Sequence, residues 1–236
     1  MAIVIGVNPG GRNAFATAAL YWNKRLPASL INVESFSCVD EAMTRIIGVV
    51  GEWGELAAVA VDAPLTWSGS LNGVRPCDVL VKKRVPAWAP RTWHKSPTSL
   101  SGNIAMQGPA LAWSLAHEIK TGALPQHTLI ETNPKVSLAL ALAGLKESVL
   151  GYSASKSSAA SKLEHVEQLV THFVDAGILK LEVAGPRTGD GLEALVCALV
   201  ALAVTAPEAG LVTQELAGGD IRPLGARKVV LLEALP

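Results

Sequence analysis

The sequence predicts one α/β domain: a mixed five-stranded sheet, three antiparallel strands followed by two parallel ones, with helices on both faces. Three observations predict it. The run LAAVAVD (residues 56–62) is apolar throughout, which reads as a strand buried on both faces beside a parallel neighbour covered by helices. The strand-like stretches before it are joined by connections too short for a crossover, which makes them an antiparallel meander. Beyond it, strands alternate with helical patterns, as crossover connections require.

The first strand is AIVIGVN (2–8), ended by the turn residues Pro9, Gly10 and Gly11. Stretches at 14–22 and 29–36 supply the second and third strands. Residues 39–53 place Ala42, Ile46, Val49 and Trp53 at helical spacing, with acidic residues at the front. LAAVAVD is then stopped by Ala63-Pro64. A stretch rich in Pro, Gly, Ser and Trp runs from 63 to 102 with little periodicity; in a compact domain, such a length marks a functional loop or a small insertion. A helix at 104–121, a short strand at 127–131 and helices at 134–149, 158–178 and 190–206 complete the chain. No internal repeat or convincing interdomain linker divides it, so residues 1–236 read as a single domain carrying one inserted loop.

Half of the residues are hydrophobic and 17% are charged, which excludes a disordered chain. The net charge is zero, so only local clustering can name a partner. Three widely spaced cysteines, Cys38, Cys77 and Cys197, form no C-x-x-C pair; they fit a reducing compartment rather than a disulfide framework. The chain shows no secretory signal pattern, and its longest apolar run (194–206) is shorter than the ~20 residues a bilayer span needs. A soluble, cytoplasmic protein without a membrane partner is expected, and a homodimer is one assembly compatible with it.

In open α/β sheets the ligand site lies beyond the carboxyl ends of the parallel strands. Asn8, Asp62 and Glu131 end three of these strands, and Asp190 and Glu193 start the last helix on one face. Carboxylates that converge repel one another and call for a cation; hard oxygen ligands favour Mg²⁺ or Mn²⁺. Two such ions can clamp the attacking and leaving oxygens of a phosphodiester. Each residue has a plainer role as well. Asp190 and Glu193 form the D-x-x-E of a capping box, Asp62 or Glu131 can simply end a strand, and Asn8-Pro9-Gly10 is a good turn.

The stretch IVIGVNPGG (3–11) resembles the first strand and turn of Holliday-junction resolvases and other RNase H-like nucleases. AVDAPL (60–65), Arg75-Pro76-Cys77-Asp78, LIETNPKVS (129–137) and GDGLEALVCAL (189–199) are more particular. In that order they resemble an uncharacterised family of predicted nucleases with RNase H-like fold. That family also has a Ser-Lys pair, here Ser155-Lys156 or Ser161-Lys162. The resemblance implies an RNase H-like domain with a nuclease-type metal site. Asp62, Asp190 and Glu131 would be the catalytic residues; Asp62, Asp190, Glu193, Glu131 and Asn8 would hold Mg²⁺ or Mn²⁺. One departure stands out. RNase H-like nucleases carry an aspartate where this chain has Asn8, so weak metal binding and attenuated cleavage are expected.

The 63–102 loop adds a second signal. Arg75, Lys82, Lys83, Arg84, Arg91 and Lys95 are interleaved with Trp67, Trp88 and Trp93, against the single acid Asp78. Cations reach phosphates and aromatic faces stack on unpaired bases, so Arg75, Lys82, Lys83, Arg84, Trp88, Arg91 and Trp93 are candidate nucleic-acid contacts. The plainer alternatives are a solvated loop whose tryptophans pack on the core, and an Arg75–Asp78 pair that merely orders it. Function therefore reads first as a metal-dependent nuclease acting on DNA or RNA. An inactive nucleic-acid-binding module on the same fold is the second reading. A nucleotide-phosphate binder of the actin and sugar-kinase branch, cradling phosphate at Pro9-Gly10-Gly11, is the third.

Overall fold

The computed structural model describes residues 1–10, 15–94, 97, 100, 103–218 and 228–235, with 103–105 and 228 described by their backbone alone. Its centre is the expected mixed sheet. Strands β1 (Ala2–Pro9), β2 (Phe15–Trp22) and β3 (Ala28–Phe36) form the antiparallel meander, and β4 (Leu56–Val61) and β5 (Thr128–Thr132) add parallel strands beyond β1.

Among the described residues the sheet has eight strands rather than five. β6 (Leu179–Leu181) extends the β3 edge, while β8 (Lys228–Ala234) and β7 (Val212–Ala217) extend the β5 edge, giving the order β6-β3-β2-β1-β4-β5-β8-β7. β6 is only three residues, two of them exposed, and β7 is mostly solvent-facing. Neither bears an apolar period, so each is a strand through its partner's hydrogen bonds rather than its own pattern.

The helices divide between the two faces. Ile3, Ile5 and Val7 of β1 pack with α1 (Val39–Trp53) and α3 (Asn103–Thr121). Val4, on the alternate pleat, belongs to the larger core with α4 (Pro134–Ala141), α5 (Lys146–Gly151), α6 (Ala159–Asp175) and α7 (Gly189–Thr205). The helix expected over 134–149 is interrupted by a 3-10 turn at Ala143–Leu145, where Gly144 lowers helical propensity. The loop expected over 63–102 contains a helix, α2 (Pro76–Arg84), and a 3-10 turn at Arg91–Trp93. No helix among the described residues is long and apolar enough to cross a membrane.

α7 is the central helix. Every residue from Gly191 to Ala203 is buried, as befits a helix that is apolar all round. It lies so close over β1 that a Cβ at Gly6 would collide with the backbone of Ala194 and Ala198. That approach holds the first turn of α7 above the end of β1, where Asn8 shares the Gly6 pleat face.

Candidate functional site

Asp62 follows β4, and its amide donates to the Val7 carbonyl at 2.9 Å, continuing the parallel ladder with β1. Ala58 and Ala60 belong to the α7-side core, so strand alternation directs Asp62 toward the same side. There it meets the start of α7. Thr188 caps that helix by accepting from the Gly191 amide at 3.1 Å, so neither Asp190 nor Glu193 is needed as the cap. Both turn to Asn8 instead. The Asn8 Nδ2 donates to Asp190 Oδ1 at 3.2 Å and to Glu193 Oε2 at 2.9 Å. From the other side, Lys135 on α4 brings Nζ to 3.4 Å from Glu193 Oε1.

The electrostatics record the crowding. Burial, reinforced by Glu193, pushes the Asp62 carboxyl far above its usual range, and Lys135 offsets only part of this. Glu193 is raised for the same reason, burial first, against the pull of Lys135. Burial also raises Asp190, opposed by Lys135 and Asn8. For Lys135, burial works against the charge, but Glu193 and Asp62 outweigh it and hold the ammonium protonated. Three acids thus share one cation. Beneath them lies Tyr152, 1% exposed, with its hydroxyl beside Glu193. Burial, with the charges of Glu193 and Asp62, keeps that hydroxyl protonated.

Glu131 belongs to a different arrangement. In the β4–β5 register it stands opposite Val61, one position short of Asp62 and on the opposite pleat face. Its Oε1 accepts from Arg75 at 2.7 Å, and its Oε2 accepts from Arg75 at 2.8 Å and from the Leu65 amide at 2.7 Å. Arg75, only 1% exposed, also donates to Thr66 and to Asp78, the latter at 2.7 Å from Nη2. Asp78 in turn meets His94 Nε2 at 3.1 Å. Burial alone would raise the Asp78 carboxyl, but hydrogen bonds from His94 and Arg75 prevail and bring it down to about 2. A carboxylate that stays ionised can only accept, so His94 donates from Nε2.

These two clusters line one cavity of about 460 Å³, open at the end of the sheet between Pro9, Asp62, Trp93, Asn133, Lys135 and Asp190. Among the described residues, no three His, Cys, Asp or Glu side chains are drawn close enough to hold a metal ion as they stand. An amide and an ammonium lie among the acids instead.

The family model described as Protein of unknown function (DUF429) matches residues 6–216. The chain belongs to the DUF429 family. No curated protein matches it. Among solved structures, T. thermophilus RuvC in complex with Holliday junction substrate is similar at 13% identity and a TM-score of 0.39, covering 86% of this chain and 94% of that one.

In this DUF429 chain the short motifs meet at the cavity. Asp62 with Ala63 and Pro64, Arg75, Glu131 with Asn133, and Asp190 with Glu193 all line it. Neither Ser155-Lys156 nor Ser161-Lys162 does.

The loop residues scatter. Arg75, expected to contact nucleic acid, is in the interior, where the buried carboxylates of Asp78 and Glu131 pair with it. Lys82, Lys83 and Arg91 are exposed and line a second depression with Val74 and Val79. Arg84 is paired with Glu233 at 2.6 Å. Trp88 and Trp93 are half-buried against the larger core, with one flank of Trp93 on the cavity, and Trp67 packs on the smaller core. Lys95 and Gly11 lie outside the described residues.

Sequence reasoning missed Lys135, His94 and Tyr152. Lys135 stood inside LIETNPKVS, but a lysine in the first turn of a helix carries no local sign of pairing. His94 and Tyr152 belong to no spacing pattern at all.

Proposed function

We propose that this chain is a metal-dependent nuclease, a single domain hydrolysing phosphodiesters of nucleic acid, with a metal site weakened by Asn8. One observation carries the reading: Asp62 and the Asp190–Glu193 pair, from a strand end and a distant helix, converge in one cavity, where burial and their mutual repulsion raise their carboxyls against the pull of Lys135. The donors are hard carboxylate oxygens in a partly enclosed cavity, which fits Mg²⁺ or Mn²⁺. Asp62, Asp190 and Glu193 would hold the ion, with Asn8 adding its amide oxygen once the amide turns. When bound, such an ion acts as a Lewis acid on the phosphoryl oxygens and acidifies a bound water.

The chain's own residues supply the rest. Glu131 anchors Arg75, and Arg75 fixes Asp78, so His94 is held in place at the cavity wall. Lys82, Lys83 and Arg91 offer exposed charge for the phosphate backbone, and Trp93 offers an aromatic flank for a base. With Cys38, Cys77 and Cys197 all free, we place this activity in the cytoplasm.

Cleavage of mixed DNA and RNA in Mn²⁺ is the test, comparing the protein with Asp62→Asn. Slow cleavage that the variant loses is expected. Equal rates in both would remove the cavity from the chemistry. Tight nucleic-acid binding without turnover, even after Asn8→Asp, would favour the binding-module reading, to which the Asn8 and Lys135 contacts lend support.

A further inference from the structure

The acids of the cavity are already partly neutralised from within. Both oxygens of Glu193 are occupied, one by the Asn8 amide at 2.9 Å and the other by Lys135 at 3.4 Å. One oxygen of Asp190 is taken by the same amide at 3.2 Å. The Lys135 side chain is 34% exposed, so it threads from the cavity mouth into the site rather than being sealed beneath it. Its tether is the first turn of α4, fixed by the Asn133 cap: the Asn133 side chain accepts from the Val136 amide at 3.0 Å and donates to the Trp93 carbonyl at 3.1 Å. The helix is held while the flexible lysine stem above it can swing. Below the acids, the Tyr152 hydroxyl is buried beside Glu193.

We propose that Lys135 is a built-in competitor for the divalent cation: its ammonium occupies the Glu193 side of the carboxylate cluster in the metal-free protein and is expelled when the ion binds. This rests on the metal-dependent reading above. A dication and the ammonium on one carboxylate repel each other, so binding the ion weakens the Lys135–Glu193 contact. The exposed part of the stem sets the direction of departure, toward the cavity mouth. Apparent metal affinity then reports the competition as much as the ligands. Asn8 acts in the same sense, because its amide must turn from donor to acceptor for its oxygen to face a cation.

Calorimetric titration with Mn²⁺ alone, on the full chain and on Lys135→Met, tests the affinity; Lys162→Met on α6 controls for net charge. Lys135→Met should bind Mn²⁺ at least about tenfold more tightly, the scale of one removed like charge in a partly solvated site, and the control should match the unaltered chain. The second arm uses the unaltered protein and does not depend on a variant folding. Lysines are acetylated briefly with and without Mn²⁺ and quantified by peptide mass spectrometry. Acetylation of Lys135 should rise severalfold with Mn²⁺ while that of Lys162 stays constant. If the unaltered protein binds Mn²⁺ as tightly as Lys135→Met and Lys135 reactivity does not change, the competition is refuted and the metal reading stands. If neither form binds Mn²⁺, both fall together.

Discussion

Replacing Asn8 by aspartate inverts the chemistry at the centre of the cavity. The amide donates to two carboxylates, at 3.2 Å to Asp190 and 2.9 Å to Glu193. An aspartate can donate nothing while ionised, and it brings a third negative charge to the same two oxygens. Losing two hydrogen bonds to charged acceptors removes roughly 3–6 kcal/mol, at about 1.5–3 kcal/mol each. The repulsion that replaces them is of similar size: unit charges about 3 Å apart at an effective dielectric near 20 interact by about 5 kcal/mol. Proton uptake by the cluster caps the total, because one pKa unit corresponds to only about 1.4 kcal/mol. Asn8→Asp without metal should therefore be less stable by about 3 kcal/mol or more at neutral pH, a large fraction of the stability of a typical domain. A dication reverses the sign, attracting the added charge twice as strongly as a single charge would. Thermal unfolding of both forms, with and without Mn²⁺, should show a deficit in the variant that saturating Mn²⁺ erases, together with tighter Mn²⁺ binding by calorimetry. A metal-free variant as stable as the unaltered chain, with the same Mn²⁺ affinity, would refute the reasoning and leave Asn8 a turn residue.

Stability should also depend on pH in two opposed ways. Asp78, lowered to about 2, contributes stability that is present above its unfolded pKa and is lost as pH falls through 2; a shift of that size is on the order of 2 kcal/mol. Asp62, raised to about 8, and Glu193, raised to about 6, contribute stability that is full below their unfolded values and lost as pH rises through 6 and then 8. A melting temperature that is highest near pH 4–5 and declines toward pH 9 in the absence of divalent ions is the expected profile in scanning calorimetry; a flat curve over that range would contradict the crowding. Arg75→Ala should cost about 3–5 kcal/mol by stranding Glu131 and Asp78 without a cation, and Arg75→Lys should not restore it, since an ammonium cannot reproduce the forked contacts. Denaturant titration measures both. Changing Lys82, Lys83 and Arg91 together to alanine should weaken single-stranded DNA binding and reduce the salt slope by about 0.7 for each phosphate no longer neutralised, whereas Arg84→Ala alone, already paired with Glu233, should change it little. Unchanged slopes would make the depression an ordinary solvated face.

Periodicity and turn chemistry, both local, were enough to find β1 to β5, α1, α6 and α7 and to put Asn8, Asp62 and Asp190 at one end of a sheet. The apolar run before each strand end and the acid just inside an apolar helix are visible without any neighbour. β6 and β7 were not visible, because short, exposed edge strands exist only by pairing. Glu131 shows the limit most plainly. Its place at a strand end was legible, yet whether it joins Asp62 depends on a register of one residue against β4, and that register set it opposite Val61 and beside Arg75. Arg75 read as a surface cation because charge is normally solvated; two carboxylates brought from elsewhere in the chain made its burial tolerable. Lys135 was silent for the same reason. Its partner Glu193 is far along the chain, and only the packing of α4 against α7 brings an ammonium within reach of those acids, because Coulomb energy depends on distance in space and not on separation in sequence.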